Sequence, residues 1–248
     1  MLIECVTVCV NFSDVLAHSL VHNKALFDRI VVVTDPADTA TRKLCDHHYV
    51  ECVVTNAFYR ADQAFNKGRG INAGLAKLAK TGWVLHLDAD IVLPARARRL
   101  WDNVTALDPS CIHGVDRLMC PDFTSWARHM ADPVIQHANE IFVIPDGFPM
   151  GVRVAKLDGE GYVPIGFFQL WHPGASGITS YPEEHGTAGR ADMLHALRWP
   201  RSKRVLIPEM FGIHRGSPIP EGRTNWRGRV MAPFGAGAAR GEPGEFYE

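Results

Sequence analysis

The chain has 248 residues, 46% of them hydrophobic and 21% charged, and carries a formal net charge of −1 at pH 7. Such a composition is that of a globular protein that can bury a full core, and the near-zero charge excludes a general attraction to polyanions or membranes. No apolar run approaches the roughly 20 residues of a membrane helix, and the opening MLIECVTVCV lacks the basic start of a signal peptide.

The six cysteines show no Cys-x-x-Cys pairing, and several lie inside apolar, strand-like runs where a free thiol behaves as a small hydrophobic group. We therefore expect a reducing, cytoplasmic setting (the host cytoplasm for a phage-encoded chain), with neither disulfides nor zinc. The cysteines are Cys5, Cys9, Cys45, Cys52, Cys111 and Cys120.

The first ninety residues alternate between strand-like and helix-like segments. Strands are predicted at Val6 to Val10, Arg29 to Thr34, Tyr49 to Thr55 and Trp83 to Leu87, with helices from Asn11 to about Phe27, from Ala37 to His48 and from Phe65 to about Ala79. The last of these strands is hydrophobic on both faces, which is typical of a parallel sheet covered by helices on each side. This order predicts an α/β, doubly wound half.

Two carboxylates, Asp88 and Asp90, directly follow the fourth strand. In open α/β sheets, ligands collect beyond the carboxyl ends of the strands, so both residues fall at the expected binding edge. Two such neighbouring carboxylates favour a cation between them, and a hard divalent ion that itself holds a phosphate is the natural candidate. Asp-x-Asp is a common tripeptide, however, and alone it predicts only a solvated strand end.

A glycine-rich segment, Phe65 to Leu75, opens the helix that precedes this strand. Lys67 and Arg69 beside its glycines suit an anion, because free backbone N–H groups and the helix dipole point the same way. The spacing is neither a Walker loop nor a dinucleotide fingerprint, and two solvated cations in a loop are the default interpretation.

Together, residues 66–94 resemble the core of a GT-A glycosyltransferase, in particular the large inverting family 2, which includes many bacterial and phage sugar transferases. The matched motifs are Asn72-Ala73-Gly74 on the helix and Asp88-Ala89-Asp90 after the strand. The resemblance implies a GT-A (Rossmann-like) mixed, mostly parallel central sheet flanked by helices, good over about residues 5–94. It also implies a metal ligand at Asp90, a metal or ribose contact at Asp88, and further donor contacts at Asn11, Asp35 (nucleobase), Lys67, Arg69 and Asn72.

The second half of the chain has shorter signals. Helices are predicted at Ala95 to Val104, Phe123 to Met130 and Met193 to Trp199, and strands at Ser110 to Val115, Val163 to Trp171 and Val205 to Met210. Residues 131–160 receive no assignment. The polar, glycine-rich loop 172–190 is either an acceptor-side lid or a mobile insertion.

Asp192, at the start of the 193–199 helix, matches the catalytic base of inverting GT-A enzymes. The glutamate that often precedes this aspartate is absent, since Ala191 stands in its place. The helix dipole alone would favour an aspartate there. Glu183 and Glu184, in the preceding loop, are the alternative bases.

His214 follows the last predicted strand in a glycine-flanked segment. The GT-A pattern often ends in one histidine at this point, which completes the metal shell of Asp88 and Asp90. An imidazole ligand suits Mn²⁺ better than Mg²⁺, and the resemblance implies one of these two ions.

Residues 198–229 hold eight Lys or Arg side chains against Glu209 and Glu221. This segment fits donor phosphates or a polyanionic acceptor such as DNA, although a solvated basic face is the plainer interpretation. Residues 231–248 are too rich in Gly, Ala and Pro to pack, and predict a flexible tail.

The resulting hypothesis is a metal-dependent, inverting sugar transferase in one GT-A domain, residues 1–230. Residues 1–93 would bind a nucleotide-diphosphate sugar, most simply a UDP-sugar, and residues 94–230 the acceptor. The acceptor is a hydroxymethylated pyrimidine in phage DNA or a saccharide for surface polysaccharide, with no membrane partner. A nucleotidyltransferase and a non-catalytic nucleotide-sugar or nucleic-acid binding module remain alternatives.

Overall fold

The fold is that of a computed structural model, which describes residues 2–62, 65–94, 97, 104–120, 123–131, 147–151, 159–184 and 190–215. The strands are β1 (Ile3–Val8), β2 (Arg29–Thr34), β3 (Glu51–Val54), β4 (Trp83–Leu87), β5 (Ile91–Val92), β6 (Ile112–Cys120), β7 (Phe168–Trp171) and β8 (Arg204–Arg215). The helices are α1 (Ser13–Asn23), α2 (Thr39–His48), α3 (Lys67–Leu75), α4 (Phe123–Ala131), α5 (Pro173–Ser176) and α6 (Ala191–Ala196), with 3₁₀ turns at Lys24–Leu26, Ala57–Asp62, Val104–Ala106 and Arg201–Lys203.

All eight strands form one mixed sheet in the order β3-β2-β1-β4-β7-β6-β8-β5. Strands β1 to β4 are parallel, β7 runs antiparallel to both β4 and β6, and β6 and β8 are again parallel. The predicted GT-A class of sheet is therefore confirmed. The sheet is continuous through both predicted halves, because β4, from the first, pairs with β7, from the second, and β5, also from the first, pairs with β8 at the far edge.

Helix α3 lies directly against the parallel strands, and small residues permit this approach. A Cβ on Gly74 would lie 2.4 Å from Val6 Cγ2 and 2.7 Å from Val33 Cγ2, so only glycine fits between the helix and β1 and β2. On the sheet itself, Val84 and Leu85 of β4 are completely buried, as a strand covered on both faces requires. Because α3 packs this closely on the sheet, its first residue, Lys67, lies next to the carboxyl end of β4.

The predicted strands of the second half were too short or too long. The strand predicted at Ser110 to Val115 continues to Cys120, the one predicted to end at Met210 continues to Arg215, and the one predicted from Val163 begins only at Phe168. The register between β6 and β8 shifts after Gly114. Pro208, which cannot donate to a ladder, lies in the shifted part of β8, and Gly212 beyond it hides the strand's continuation from a local pattern.

Several predictions lie outside the described residues. They are the helix at 95–104 apart from Ala97 and Val104, the tail at 231–248, and the basic residues beyond Arg215. In the described part of the chain, no helix combines the length and apolar character needed to cross a membrane. The six thiols are free, and five of them are buried.

Candidate active site

The Asp88-Ala89-Asp90 segment forms a tight turn between β4 and β5. The N–H of Asp88 donates to the Phe167 carbonyl (3.1 Å), and the N–H of Ile91 donates back to the Asp88 carbonyl (3.2 Å). The turn thus leaves the sheet at the carboxyl end of β4 and re-enters it at β5. Its two carboxylates project from that edge, where the strand order predicted a ligand site.

Two side chains of α1 hold this turn from behind. Asn23 donates to the Ile91 carbonyl (2.7 Å) and accepts from the Leu93 N–H (2.9 Å), and Ser19 Oγ donates to the Ala89 carbonyl. Both polar side chains are buried. Because backbone groups of the turn are bonded to the scaffold, the Asp side chains are left for the site.

Asp90 and His214 form a buried pair in the site. In the β5–β8 ladder Ile91 lies opposite His214, which brings the imidazole next to the preceding aspartate. His214 Nε2 lies 2.9 Å from Asp90 Oδ2, and the two residues are 4% and 9% exposed. His214 therefore lies within a strand and not in the glycine-flanked loop that the sequence suggested.

Asp88 makes an ion pair with the first residue of α3. Lys67 Nζ lies 2.6 Å from Asp88 Oδ1, and both side chains are largely enclosed. Burial raises the pKa of Asp88, and the Lys67 charge opposes this while Asp90 adds to it. Burial would lower the pKa of Lys67, but the charges of Asp88, Asp192 and Asp90 outweigh it and raise that pKa above its usual value. Lys67 is therefore a permanent cation among three carboxylates.

Asp192 is fixed at the start of α6 by two backbone contacts. Its Oδ2 accepts the Gly166 N–H, and its carbonyl accepts from Gln169 Nε2 (2.8 Å). A Cβ on Gly166 would lie 2.5 Å from Asp192 Cβ, so the absence of a side chain there permits the contact. The carboxylate keeps its second oxygen for other contacts and lies within electrostatic range of Lys67.

A buried polar network connects the floor beneath Asp88 with the backbone of Asp192. Tyr181 O–H donates to Gln169 Oε1 and lies 3.1 Å from His86 Nδ1. The opposite nitrogen of His86 lies 3.7 Å from Asp88 Oδ1. His86 and His195 are completely buried, and the His195 ring stacks on the Tyr181 ring with 3.8 Å between their centres.

The predicted metal ligands are gathered only in part. Among the residues that the structure describes, no three His, Cys, Asp or Glu side chains converge closely enough to hold a metal ion. The Asp90–His214 pair does fit a divalent ion, because two neighbouring ligands about 2.1 Å from one ion lie about 3 Å apart. Asp88 does not join them, since Lys67 engages one of its oxygens.

Asn72 and Arg69, predicted as donor contacts, instead hold the loop before α6. The Asn72 amide bonds the Tyr181 N–H and carbonyl (2.7 and 3.0 Å) and Glu183 Oε1 (2.6 Å). Arg69 Nε lies 3.3 Å from Glu183 Oε2, and Asn66 Nδ2 donates to the Glu183 carbonyl. We name these contacts the loop clasp. Their roles in donor binding stay a prediction.

The glycines at the start of α3 allow close packing against neighbouring segments. A Cβ on Gly68 would lie 2.1 Å from the Pro182 carbonyl oxygen, and one on Gly70 would lie 1.9 Å from the Phe58 ring. The helix N-terminus is already capped, because Asn66 Oδ1 accepts the Arg69 N–H. Lys67 alone of this segment is directed at the Asp88 carboxylate.

Asn11 and Asp35 follow β1 and β2 at the same edge of the sheet. Asn11 adopts a left-handed conformation (φ 62°), and its N–H donates to Asp38 Oδ2. Asp35 accepts the Ala37 N–H and remains half-buried. Their positions suit the nucleoside end of a donor, as predicted, and their donor contacts stay a prediction.

One site residue, Arg117 of β6, escaped sequence reasoning altogether. It is 8% exposed, and the charges of Asp90, Asp88 and Asp192 act on its guanidinium. The predicted strand stopped at Val115, so Arg117 fell in an unassigned segment. A lone arginine between Val115 and Leu118, both almost completely buried, was the signal that could have revealed it.

The described basic residues of the 198–229 segment are engaged within the fold. Arg198 donates to the Ser180 carbonyl, Arg201 to the Gly159 carbonyl and Lys203 to Asp108. Arg204 pairs with Glu160 and also donates to the Trp199 carbonyl. These four cations therefore stabilise loops around β8.

The strand order and the acidic edge define the fold of GT-A glycosyltransferases. The TarS 1-349 structure from S. aureus matches with a TM-score of 0.55 at 12% identity, over 87% of this chain and 60% of that one. A mycobacterial protein matches with 0.54 at 13% identity, over 91% and 71%. Glucosyl-3-phosphoglycerate synthase from Mycobacterium tuberculosis, solved with Mn²⁺, UDP-glucose and phosphoglyceric acid, matches with 0.51 at 11% identity, over 88% and 72%.

At these identities the likeness establishes the fold. The chain spans about three fifths of the TarS structure's length. Its sequence matches no protein-family profile and no curated protein.

Proposed function

We propose that this chain is a glycosyltransferase that moves a sugar from a nucleotide-diphosphate donor, a UDP-sugar, to an acceptor hydroxyl. The observation that carries the proposal is the cluster of Asp88, Asp90 and Asp192 around the partly buried Lys67, at the edge of the sheet where this fold binds ligands. The M. tuberculosis synthase, solved with UDP-glucose, supports the choice of donor.

Asp192 is the proposed general base. As the acceptor oxygen attacks the anomeric carbon, its proton passes to the free Asp192 oxygen and the bond from that carbon to the diphosphate breaks. The Gly166 N–H holds the carboxylate in one orientation during this transfer, and Gln169 holds the backbone carbonyl of Asp192. Attack from the face opposite the diphosphate inverts the anomeric centre.

The charged residues at the other end of the site hold the leaving group. Asp90 and His214 would hold Mn²⁺ or Mg²⁺ beside Asp88, which Lys67 engages, and such an ion would supply positive charge to the departing diphosphate. Lys67 is close enough to Asp88 to add a second cation at the same place. The enclosed position of these groups strengthens their electrostatic effect.

A saccharide or another small hydroxyl compound is the acceptor that the described residues favour over DNA. The four basic residues at 198–204 are engaged with carboxylates and carbonyls of the fold, which leaves them poorly suited to phosphates of a duplex. Hydroxymethylated DNA is therefore the second acceptor to test. Transfer to it should weaken steeply as salt rises, because phosphate contacts release counterions.

A screen of sugar nucleotides with Mn²⁺, against saccharides and hydroxymethylated DNA, tests the proposal by mass spectrometry. The expected result is a product heavier by one sugar, together with free nucleoside diphosphate. Release of pyrophosphate would instead identify a nucleotidyltransferase. Donor binding without turnover or donor hydrolysis would identify a binding module, and the anomeric configuration of the product decides inversion.

A further inference from the structure

Arg117 lies on the same face of the sheet as His214. In the parallel β6–β8 ladder Arg117 lies opposite Gly212 and Met119 opposite His214, so these alternate positions share one face. A Cβ on Gly151 would lie 2.7 Å from Met119 Sδ and 2.9 Å from Arg117 Nε, which places both side chains under the same segment. The arginine is thus a neighbour of the Asp90–His214 pair.

The guanidinium is buried without the partners that a buried charge normally has. Its carbon lies 5.2 Å from the centre of the Phe167 ring, and its Nε is enclosed with no hydrogen-bond partner. No carboxylate of the described residues forms an ion pair with it, since Asp88 is paired with Lys67 and Asp90 with His214. A buried cation that lacks a hydrogen-bonded partner costs free energy, and therefore calls for a functional explanation.

The electrostatics of the site agree with this picture. Burial lowers the pKa of Arg117, and the more distant charges of Asp90, Asp88 and Asp192 do not fully offset it. An anion that bonded the guanidinium directly would supply the missing contacts. Arginine suits phosphate and carboxylate groups because its planar N–H groups match two of their oxygens at once.

We propose that Arg117 is the receptor for an oxyanion, a phosphate or carboxylate group, of a substrate that enters the site beside Asp90. That the anion belongs to a substrate rests on the proposed function, whereas the anion-binding role of Arg117 is inferred from the geometry alone. The oxyanion belongs either to the diphosphate of the donor or to an acid group on the acceptor, and both sources offer the same chemistry to the guanidinium.

Calorimetric titrations of the wild type and of Arg117→Met test the proposal. Each protein is titrated with UDP in the presence of Mn²⁺ and with uridine. Inorganic phosphate is then titrated into the UDP-saturated protein. If the donor diphosphate is bound, the variant loses at least about tenfold in affinity for UDP and none for uridine. If an acceptor group is bound, UDP affinity is kept and that for inorganic phosphate falls by a similar factor. Arg29→Met removes an exposed arginine distant from the site and should change neither.

Thermal unfolding without ligand provides a second readout. Because the guanidinium lacks hydrogen-bonded and ion-pair partners, Arg117→Met should melt at the wild-type temperature or above it. If the role of Arg117 were purely structural, its replacement would lower the unfolding midpoint. Arg117→Lys keeps the positive charge but lacks the planar pair of N–H groups, so it should recover only part of the anion affinity.

The proposal is overturned if Arg117→Met binds UDP and inorganic phosphate as the wild type does. That result would leave sugar transfer intact as a function. Conversely, a wild type that binds phosphate through Arg117 but shows no transfer with any donor would refute the proposed function and keep the anion site.

Discussion

Asp192 is the residue whose replacement separates chemistry from binding most clearly. Asp192→Asn keeps an oxygen to accept the Gly166 N–H but removes the base, so we expect transfer to fall by about 10²- to 10⁴-fold. Donor affinity should stay at the wild-type value, because no donor contact is assigned to this side chain. Steady-state rates and a calorimetric donor titration measure the two quantities.

The matched control is Glu184→Gln, which removes an exposed carboxylate from the loop that precedes α6. Transfer by this variant should equal that of the wild type. If Glu184→Gln were inactive and Asp192→Asn fully active, the base would lie in the loop, where the sequence also allowed it.

The buried imidazole of His195 should make the free energy of unfolding depend on pH. Burial lowers its pKa well below the usual value, and the Arg198 charge adds to this while the Ser180 backbone opposes it. A depressed folded-state pKa means that acid favours the unfolded chain, so stability should be lost as pH falls through about 6.5. One such group contributes a slope that approaches about 1.4 kcal/mol per pH unit below that point.

His195→Phe keeps a ring against Tyr181 and removes the ionisation. Its midpoint of thermal unfolding should therefore fall less between pH 7 and pH 5 than that of the wild type. The comparison uses slopes, so a uniform shift caused by the larger ring does not affect it. Equal slopes for both proteins would show that His195 titrates normally in the folded state.

At the scale of elements, the loop clasp joins α3 to the segment that leads into α6. Its contacts link residues more than 100 positions apart, and they hold the floor of the site between Lys67 and Asp192. Gly68→Ala would place a methyl group 2.1 Å from the Pro182 carbonyl oxygen, so the loop must shift. We expect a destabilisation of about 1–3 kcal/mol.

Denaturant unfolding measures this loss, and limited proteolysis should show faster cleavage in the 178–184 segment. The control is Gly174→Ala in α5, where the nearest atom lies 3.3 Å from the added Cβ and alanine favours the helix. If both variants unfold at the wild-type denaturant concentration, the loop does not depend on this contact.

The elements that sequence predicted best are those with an unbroken local pattern. Strand β4 was found to the residue, because four of its five residues are apolar and the run has a clear end at Asp88. Strands β6 and β8 were predicted to end too early, since Arg117 in one and Gly212 in the other interrupt the apolar pattern. Their true length depends on neighbouring strands, which no local pattern contains.

The same distinction applies to the site. Asp88, Asp90 and His214 were named from strand ends and from the order of motifs, and the structure brings the last two together. The clasp of Asn72 and the burial of Arg117 depend on tertiary contacts. Glycines 68 and 70 carried an ambiguous signal, because close packing and anion binding both favour residues without a side chain.

At the scale of the whole molecule, one sheet brings together residues from β4, β6, β8, α3 and α6 at a single edge. The Asp90–His214 pair spans 124 positions of the sequence and depends on the antiparallel pairing of β5 with β8. The proposed function requires that the Asp90–His214 pair hold the divalent ion that contacts the donor diphosphate.

Mn²⁺ binding tests that requirement most directly. It is monitored through the electron paramagnetic resonance signal of the free ion, with and without UDP. Wild type should take up Mn²⁺ more tightly when UDP is present, and His214→Ala should weaken this uptake at least about tenfold. His47→Ala, which removes an exposed histidine of α2, should bind as the wild type does. Equal uptake by wild type and His214→Ala, or no uptake with UDP, would contradict the account.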